Sequence, residues 1–313
     1  EIVVFGAGSL GSLIGGLLAG THDVTLVGRP AHMQAVDDHG LRIGGEIEAT
    51  AEPETTTNGE GLRGDVALVT VKAGDTAAAA EVLSTGSFEA VCSLQNGFTE
   101  ETLAATLSVP VLAGTVTYGA RLREPGRVDC TGRGTVTLGP YTGDGGTAAD
   151  GRRAADNEAV DDSEVTERAT AVGEAFRVAG IETEVCENMA RHRWEKLAVN
   201  AAINPVTALA RVENGAVREE PLWPVACCAA RETAAVARAS GVDLAADAAV
   251  ETMRTVAAST ATNRSSMLQD VDAGRETEIG AITGAIVERA DQQGIEVPTN
   301  RLLLALVGGY ETG

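Results

Sequence analysis

Two lysines are the residues of this sequence whose type most clearly suggests chemistry. The chain contains 24 basic residues, and only Lys72 and Lys196 among them are lysines. A lysine ammonium can release a proton when it is partly buried, whereas an arginine guanidinium stays charged. Reduction of a ketone needs such a donor, because the alkoxide that forms as hydride arrives must be protonated. Chance survival on the surface is the alternative, and it explains one lysine more easily than two in apolar, motif-like surroundings.

Lys196 begins a polar row in an otherwise apolar stretch. Lys196, Asn200 and Asn204 are spaced at i, i+4 and i+8, which places them on one face of a helix. Their neighbours are alanine, leucine, isoleucine and valine, so this face is expected to be at least half-buried, where a lysine and two amides need partners or a function. The alternative is a polar row that faces solvent. Pro205 is expected to end or kink the helix.

Lys72 and Asn96 each follow a predicted strand. Lys72 comes directly after the run 65–71, and Asn96 follows the run 91–94 in the sequence Leu-Gln-Asn-Gly. Ligands of open α/β folds bind at the carboxyl ends of such strands, so both side chains are candidates for a binding site. Asn-Gly is also typical of an ordinary turn, and spacing alone does not separate the two interpretations.

A last polar cluster lies near the carboxyl end of the sequence. Ser266 and Gln269 have the spacing of a helix-capping box, and Glu278 suits the N-terminus of a helix. From the residues alone, these structural interpretations are favoured over a role in catalysis.

The N-terminus carries the pattern G-x-G-x-x-G between an apolar run, Ile2–Phe5, and a helical stretch, 12–19. In a dinucleotide site the first glycine makes the turn, the second lets the backbone approach a pyrophosphate, and the third lets the helix pack on the strand. The N-terminus of the helix then attracts the phosphates. The alternative is a glycine-rich turn without a ligand. The candidate cofactor-binding residues are Gly6, Ala7, Gly8, Ser9, Leu10 and Gly11.

The end of the second predicted strand indicates which dinucleotide binds. NAD sites usually place an acidic residue there to hold the ribose 2′-hydroxyl, whereas this strand ends in Gly28-Arg29. An arginine suits a 2′-phosphate, so the sequence predicts NADP as the cofactor. The alternative is that Arg29 is a solvated base of the loop.

The candidate residues lie on two differently patterned halves of the chain. The first half alternates β-branched runs with Ala/Leu-rich stretches, which predicts a parallel sheet with crossover helices. Residues 142–164 are polar and acidic, which predicts an exposed, mobile loop; a helix at 165–179 and a strand at 182–185 follow. The predicted fold class is α/β, with a Rossmann-type dinucleotide-binding domain at 1–186 and an all-helical domain at 187–313. The predicted earlier strands are Ile2–Phe5, Asp23–Val27, Val66–Val71, Val91–Leu94, Val111–Val116 and Thr135–Leu138.

Composition narrows the classes of function. The 313 residues include 45 acids and 24 bases, a formal charge of −21, yet 44% of the residues are hydrophobic, so the acids must lie on folded surfaces. Such a chain is a poor candidate for binding nucleic acid, whose phosphates need basic patches. Excess acid and scarce lysine predict adaptation to a high-salt cytosol, where salt screens self-repulsion.

Cysteine usage and hydropathy indicate a cytoplasmic protein. The five cysteines include no C-x-x-C pair, which predicts neither a disulfide framework nor a metal site. No apolar run approaches the ~20 residues that span a bilayer, and the strand-like opening leaves no room for a signal peptide. The alanine-rich helices of the second half could pair two copies into a homodimer.

The motifs together resemble those of the ketopantoate reductase (2-dehydropantoate 2-reductase) family. The most specific blocks are Lys-Leu-Ala-Val-Asn at 196–200 and Ser-Ser-Met-Leu-Gln-Asp at 265–270, and all motifs occur in the family's order over nearly the whole chain. The resemblance implies reduction of a small-molecule substrate, 2-dehydropantoate, to (R)-pantoate by NADPH, a step toward pantothenate and coenzyme A.

The resemblance also implies a role for each candidate residue. Lys196 would be the general acid, and Glu278 would hold the substrate and orient the lysine. Asn96 would lie at both the nicotinamide and the substrate. The remaining substrate-binding residues would be Asn200, Asn204 and Ser266, and the further cofactor contacts would be Lys72 and, at the 2′-phosphate, Arg29.

Two other functions fit the same pattern. One is a different 2-keto acid or 3-hydroxy acid dehydrogenase, including the opine type, which shares the two-domain plan. The other is a redox sensor that binds a dinucleotide without turning it over, although the polar row at Lys196 argues against it because a sensor needs no proton donor.

Overall fold

A computed structural model describes residues 1–143 and 162–311 of the chain. The described residues form two compact units. The first unit contains Glu1–Gln95, Thr99–Tyr141 and residues 162–189, and the second contains Asn96–Phe98, residues 142–143 and residues 190–311. Of the loop predicted at 142–164, residues 144–161 lie outside the described residues. Its last three residues, 162–164, belong instead to a helix.

The first unit contains two sheets. An eight-stranded sheet has the order β12-β11-β8-β7-β6-β1-β2-β5, and a four-stranded sheet has the order β4-β3-β10-β9. The strands are β1 (Ile2–Phe5), β2 (Val24–Val27), β3 (Leu41–Gly45), β4 (Ala49–Ala51), β5 (Glu54–Thr56), β6 (Arg63–Val69), β7 (Ser87–Ser93), β8 (Val111–Val116), β9 (Gly119–Glu124), β10 (Arg127–Gly132), β11 (Val136–Pro140) and β12 (Thr183–Val185).

The larger sheet confirms the predicted Rossmann-type arrangement. Strands β8, β7, β6, β1, β2 and β5 all pair in parallel. Because crossover connections cover both faces of such a sheet, the central strands read as continuous apolar runs, and all four residues of β1 are buried. The sequence predicted a parallel sheet, and this prediction is wrong for β11, which runs antiparallel to β8.

The smaller sheet is absent from the sequence-based prediction. Its strands are short and rich in glycine and arginine, as in Leu-Arg-Ile-Gly-Gly and Gly-Ala-Arg-Leu-Arg-Glu, so they lack a clear apolar alternation. Tertiary packing forms them instead. Leu41, Ile43 and Val128 join the same apolar core as the helix that follows β1.

The helices divide between the two units. In the first unit they are α1 (Ser9–Leu18), α2 (Pro30–His39), α3 (Thr76–Leu83), α4 (Glu100–Thr106) and α5 (Asp162–Val178). Between residues 190 and 311 every regular element is helical, as predicted. The helices after α5 are α6 (Met189–Ala210), α7 (Trp223–Ala239), α8 (Ala246–Ser259), α9 (Ser266–Asp272), α10 (Ala285–Gln293) and α11 (Pro298–Glu311), with a π-helical segment at Gly280–Gly284.

Helix α1 packs directly on the larger sheet through a glycine. A Cβ atom added at Gly15 would come within 2.5 Å of the Leu26 side chain. Gly11, which the sequence predicted would allow this close packing, lies one turn earlier in the helix. A Cβ atom there would lie 2.3 Å from the Gly6 carbonyl oxygen and 2.5 Å from the Thr70 hydroxyl, which directly follow β1 and β6, so both glycines bring α1 close to the sheet.

Helix α6 runs through Pro205 to Ala210, so it does not end at the proline, which was one of the two predicted outcomes; a kink at this position stays a prediction. The proline removes one backbone hydrogen bond, but the turn after it is buried in the core of the second unit, where Val206 is 4% exposed. The Thr207 hydroxyl also donates to the Ile203 carbonyl at 2.8 Å. Burial of this turn offsets the lost bond, and the polar row on α6 therefore continues beyond the proline.

No helix among residues 1–143 and 162–311 combines the length and the apolar character needed to cross a bilayer.

Candidate functional site

The first and third glycines of the G-x-G-x-x-G motif are fixed by the protein's own packing. Gly6 has φ +114°, and a Cβ atom there would lie 2.5 Å from the Val71 backbone nitrogen. A Cβ at Gly11 would lie 2.3 Å from the Gly6 carbonyl oxygen. The Thr70 hydroxyl donates to that same carbonyl at 2.8 Å. The turn between β1 and α1 is thus held against the segment that follows β6.

The second glycine has no such neighbour among residues 1–143 and 162–311. Around Gly8, the N-cap of α1, an added Cβ would meet only the Gly6 carbonyl oxygen, at 3.9 Å, apart from the residues adjacent in sequence, and Gly8 has φ −87°. Packing among these residues therefore does not need glycine here. A phosphate group that approaches the backbone at the N-terminus of a helix does need it. The residues present fit a dinucleotide pyrophosphate.

A buried histidine supports this region and escaped the sequence analysis. His32 Nδ1 accepts a hydrogen bond from Gly126 N at 2.9 Å, and its Nε2 lies 2.8 Å from the Ser12 hydroxyl. Burial, with a smaller contribution from the nearby Arg29 charge, lowers the pKa of His32. The ring is therefore neutral with its proton on Nε2, and it links α1 to the turn between β9 and β10.

Arg29 and Lys72, the two predicted cofactor contacts outside the glycine motif, are both exposed in the first unit. Arg29 is the N-cap of α2, directly after the carboxyl end of β2. Lys72 is the N-cap of a short 3₁₀ turn after β6. The buried Gln95 amide fixes this turn, because it donates to the Val71 carbonyl at 3.0 Å and to the Thr76 hydroxyl at 2.8 Å. Both cations thus lie at carboxyl ends of parallel strands, as predicted.

In the second unit, three polar residues that are distant in sequence form one hydrogen-bonded group. The Asn96 Nδ2 donates to Glu278 Oε2 at 2.8 Å, and the Asn200 Nδ2 lies 3.4 Å from Asn96 Oδ1. All three residues are half-buried. We call Asn96, Asn200 and Glu278 the amide–carboxylate group.

The row on α6 is buried as predicted, and the solvent-facing alternative is wrong. Lys196 and Asn200 are half-buried, and Asn204 is 6% exposed. Residues four apart on a helix have Cβ atoms about 5–6 Å apart. Lys196 therefore lies one helical turn from the amide–carboxylate group, and Asn204 lies one turn beyond Asn200 on the other side.

The predicted capping box at Ser266 and Gln269 is wrong by one residue. Ser265 caps α9, because its hydroxyl accepts a hydrogen bond from Leu268 N at 3.1 Å. The Gln269 amide reaches back to the Arg264 carbonyl instead. Ser266, the first residue of α9, is exposed, and a ligand can therefore reach its hydroxyl.

Thr207 is a further residue that the sequence analysis missed. Its hydroxyl lies 2.7 Å from the Ser265 hydroxyl. Thr207 is three residues after Asn204, so it continues the polar row at helical spacing. This spacing was the available signal, and Pro205 obscured it by suggesting that the helix ends. The contact places the Ser265–Ser266 segment at the far end of the row.

Glu278 precedes the helical stretch that contains the π-helical segment. The Glu278 carbonyl accepts a hydrogen bond from Ile282 N at 3.0 Å, and the Thr277 hydroxyl accepts one from Ile279 N at 3.2 Å. Thr277 therefore caps this helix end, whereas the Glu278 carboxylate reaches Asn96. A role for Glu278 in stabilising the helix N-terminus therefore does not explain where its carboxylate lies.

The second unit thus brings a lysine, a carboxylate, amides and an exposed hydroxyl around one face of α6. An ammonium can protonate an oxygen atom, a carboxylate can orient that ammonium, and amides can bind carboxylate or hydroxyl groups of a ligand. Within the part of the chain that the structure describes, no cluster of three or more His, Cys, Asp or Glu side chains could hold a metal ion. The arrangement suits acid-assisted reduction of a carbonyl.

Known proteins resemble the chain over most of its length. The family model described as "Ketopantoate reductase PanE/ApbA" matches residues 2–143, and its C-terminal counterpart matches residues 188–311. The 2-dehydropantoate 2-reductase of Archaeoglobus fulgidus is 41% identical over 316 residues, covering 100% of this chain and 98% of that protein. That of Halobacterium salinarum is 40% identical, covering 98% and 97%. The crystal structure of a PanE/ApbA family ketopantoate reductase from Ralstonia eutropha is 32% identical, covers 99% of this chain and 98% of that one, and has a TM-score of 0.84.

Proposed function

The chain belongs to the ketopantoate reductase family and is an oxidoreductase, and from this premise we propose that it reduces 2-dehydropantoate to (R)-pantoate with NADPH. The observation that carries the proposal is the hydrogen bond between Asn96 and Glu278 beside the α6 face that bears Lys196. The reaction would serve the synthesis of pantothenate and coenzyme A.

In the proposed mechanism, a side chain of the protein donates the proton that converts the keto oxygen into a hydroxyl group. When bound, NADPH supplies a hydride to the keto carbon. Lys196 hydrogen-bonds the keto oxygen, stabilises the negative charge that develops there, and donates its proton to form the hydroxyl group. Glu278 balances the charge of the ammonium and orients it, and Asn96 holds the Glu278 carboxylate through the 2.8 Å bond.

The other polar groups of the second unit bind the rest of the substrate. 2-Dehydropantoate carries a carboxylate and a hydroxyl group besides its ketone. The amides of Asn200 and Asn204 and the hydroxyl of Ser266 are donors of the kind that these groups require. The glycine loop, Arg29 and Lys72 in the first unit hold the cofactor. This division assigns residues 1–186 to the cofactor and residues 187–313 to the substrate, with the exception of Asn96, which lies in the second unit beside Glu278.

The test is the loss of NADPH absorbance when 2-dehydropantoate is added to the purified protein. We expect turnover with this substrate and much lower kcat/KM with other 2-keto acids. Preference for a different 2-keto acid, or oxidation of a 3-hydroxy acid, would favour the alternative dehydrogenases. Dinucleotide binding without turnover of any compound in the panel would favour the sensor.

Arg29 is expected to determine the preference for NADPH. Its exposed guanidinium, at the N-cap of α2, suits a 2′-phosphate that NADH lacks. Arg29→Ala is expected to raise the KM for NADPH roughly 10- to 100-fold, because a lost charge-assisted contact weakens binding by about 1.5–3 kcal/mol. The KM for NADH should change little. Steady-state kinetics with both cofactors measure the ratio, and an equal rise for both would remove the 2′-phosphate assignment.

The acidic composition supports adaptation to high salt. A formal charge of −21 makes the folded state repel itself, and salt reduces that repulsion. The unfolding temperature is therefore expected to fall steeply as salt is removed, which circular dichroism can follow. An unchanged unfolding temperature in dilute buffer would remove this proposal.

We propose that the protein is cytoplasmic and forms a homodimer. All five cysteines are free thiols, which supports a reducing cytoplasm. Pairing of two copies through the alanine-rich helices is a prediction that light scattering can test.

A further inference from the structure

Phe98, two residues after Asn96, lies in a cluster of cations and aromatic rings. The Arg289 guanidinium carbon is 3.9 Å from the centre of the Phe98 ring, and the Arg193 guanidinium carbon is 4.7 Å from it. The Trp194 ring meets the Phe98 ring edge-on, with centroids 4.8 Å apart. Arg193 is 4% exposed, and cation–π attraction strengthens when water is excluded. We call these four residues the Phe98 clamp.

The clamp joins α6, which carries Lys196, to the helical stretch that begins directly after Glu278. Arg193 lies on α6 three residues before Lys196, a spacing that makes the two residues neighbours on the helix surface. Arg289 lies on α10, in the helical stretch that begins after Glu278. One ring, that of Phe98, therefore contacts both elements.

The residue between Asn96 and Phe98 is fixed as well. Gly97 has φ +83°, and a Cβ there would lie 2.5 Å from the Ala281 carbonyl oxygen. Three consecutive residues are thus held in three ways: Asn96 by its amide, Gly97 by its backbone and Phe98 by its ring. Asn96 and Glu278 are 182 positions apart in sequence. The geometry of their hydrogen bond therefore depends on the contacts that fix the position of Asn96-Gly97-Phe98.

We propose that Phe98, held between Arg193 and Arg289, is a positioning residue that keeps the Asn96 amide on Glu278 and Asn200. Phe98 acts through Asn96 and takes no part in bond making. The inference rests on the proposed function for its kinetic readout. Loosening the ring lets the Asn96 side chain leave the amide–carboxylate group, and the Glu278 carboxylate then loses the donor that fixes its orientation.

Kinetics of Phe98→Leu and Arg289→Gln provide the first test. We expect kcat to fall about tenfold in each, since small misplacements of catalytic groups carry rate losses of this order. The KM for NADPH should stay within about twofold of the wild-type value.

Two control variants accompany these tests. Phe98→Tyr keeps an aromatic face and is expected to retain kcat. The matched control is Phe88→Leu, a buried phenylalanine on β7 in the first unit, which should lower the unfolding temperature and leave kcat unchanged.

A double-mutant cycle separates positioning from general destabilisation. If Phe98 acts through Asn96, Phe98→Leu should have almost no further effect on kcat in an Asn96→Ala background. Equal effects of Phe98→Leu in both backgrounds would overturn the proposal. The proposal would also be overturned if Phe98→Tyr lowered kcat as much as Phe98→Leu does.

A readout without turnover keeps this inference distinct from the proposed function. The Asn96 side-chain amide gives a proton–nitrogen NMR signal that can be assigned by its loss in Asn96→Ala. In the full-length protein that signal should be protected from exchange, and in Phe98→Leu it should exchange at least tenfold faster. An unchanged rate would contradict the positioning role. If the wild-type protein does not reduce 2-dehydropantoate, the proposed function fails, and the amide signal still decides whether Phe98 positions Asn96.

Discussion

Replacing Lys196 with alanine is expected to lower kcat by about 10²- to 10⁴-fold, the usual contribution of a positioned general acid. Lys196 is half-buried on α6, one turn from the hydrogen-bonded Asn96, Asn200 and Glu278. Without its ammonium, the proposed reaction loses the group that protonates the alkoxide and stabilises its negative charge. Single-turnover kinetics with 2-dehydropantoate measure the loss, and titration of protein fluorescence with NADPH should show binding within a few-fold of the wild type.

Two further variants define what Lys196 contributes. Lys196→Arg keeps the positive charge and cannot give up a proton near neutral pH, so it should also be strongly impaired. Arg191→Ala is the matched control, because Arg191 is an exposed base of the same helix whose guanidinium pairs with Glu195 at 2.9 Å. Its kcat should stay near that of the wild type. Near-normal turnover of Lys196→Ala would remove the assignment of this lysine as the acid.

The sequence predicted seven of the eight strands of the larger sheet because those strands depend on local signals, and it missed β5, a short strand of one glutamate and two threonines. Continuous apolar runs such as Ile2–Phe5 and residues 66–69 of β6 are typical of strands covered on both faces. The smaller sheet lacks this signal. Strand β9 carries two arginines and a glutamate, none of its residues is fully buried, and its pairing with β10 includes register shifts. Its formation therefore depends on packing that no local window contains.

The residues of the candidate site also differ in whether a local sequence pattern predicts their position. Lys196, Asn200 and Asn204 share a helical period, so the sequence alone places them on one face. Nothing in the sequence chemistry pairs Asn96 with Glu278, and only the family resemblance suggested a common site for them. The buried contacts of His32 and Arg193 were missed because both residues look like surface bases in sequence, and their roles follow from neighbours far along the chain.

Gly8→Ala is expected to weaken NADPH binding without weakening the fold. In the part of the chain that the structure describes, the nearest atom to the added methyl group, adjacent residues aside, is the Gly6 carbonyl oxygen at 3.9 Å, and φ −87° is accessible to alanine. The free energy of unfolding should therefore change by less than about 0.5 kcal/mol. The methyl group instead occupies the space in which a pyrophosphate approaches the backbone. Loss of that approach should raise the Kd roughly 10- to 100-fold, equivalent to about 1.4–2.8 kcal/mol.

Gly6→Ala is the matched control for Gly8→Ala, and the two variants should fail in opposite ways. At Gly6 the backbone has φ +114°, and a Cβ would press to 2.5 Å from the Val71 nitrogen, so this variant should lose about 1–3 kcal/mol of stability. Thermal unfolding and calorimetric titration with NADPH, performed on both proteins, separate the effects. Wild-type NADPH affinity in a stable Gly8→Ala protein would mean that the cofactor does not approach this turn, since contacts among the described residues do not require a glycine at that position.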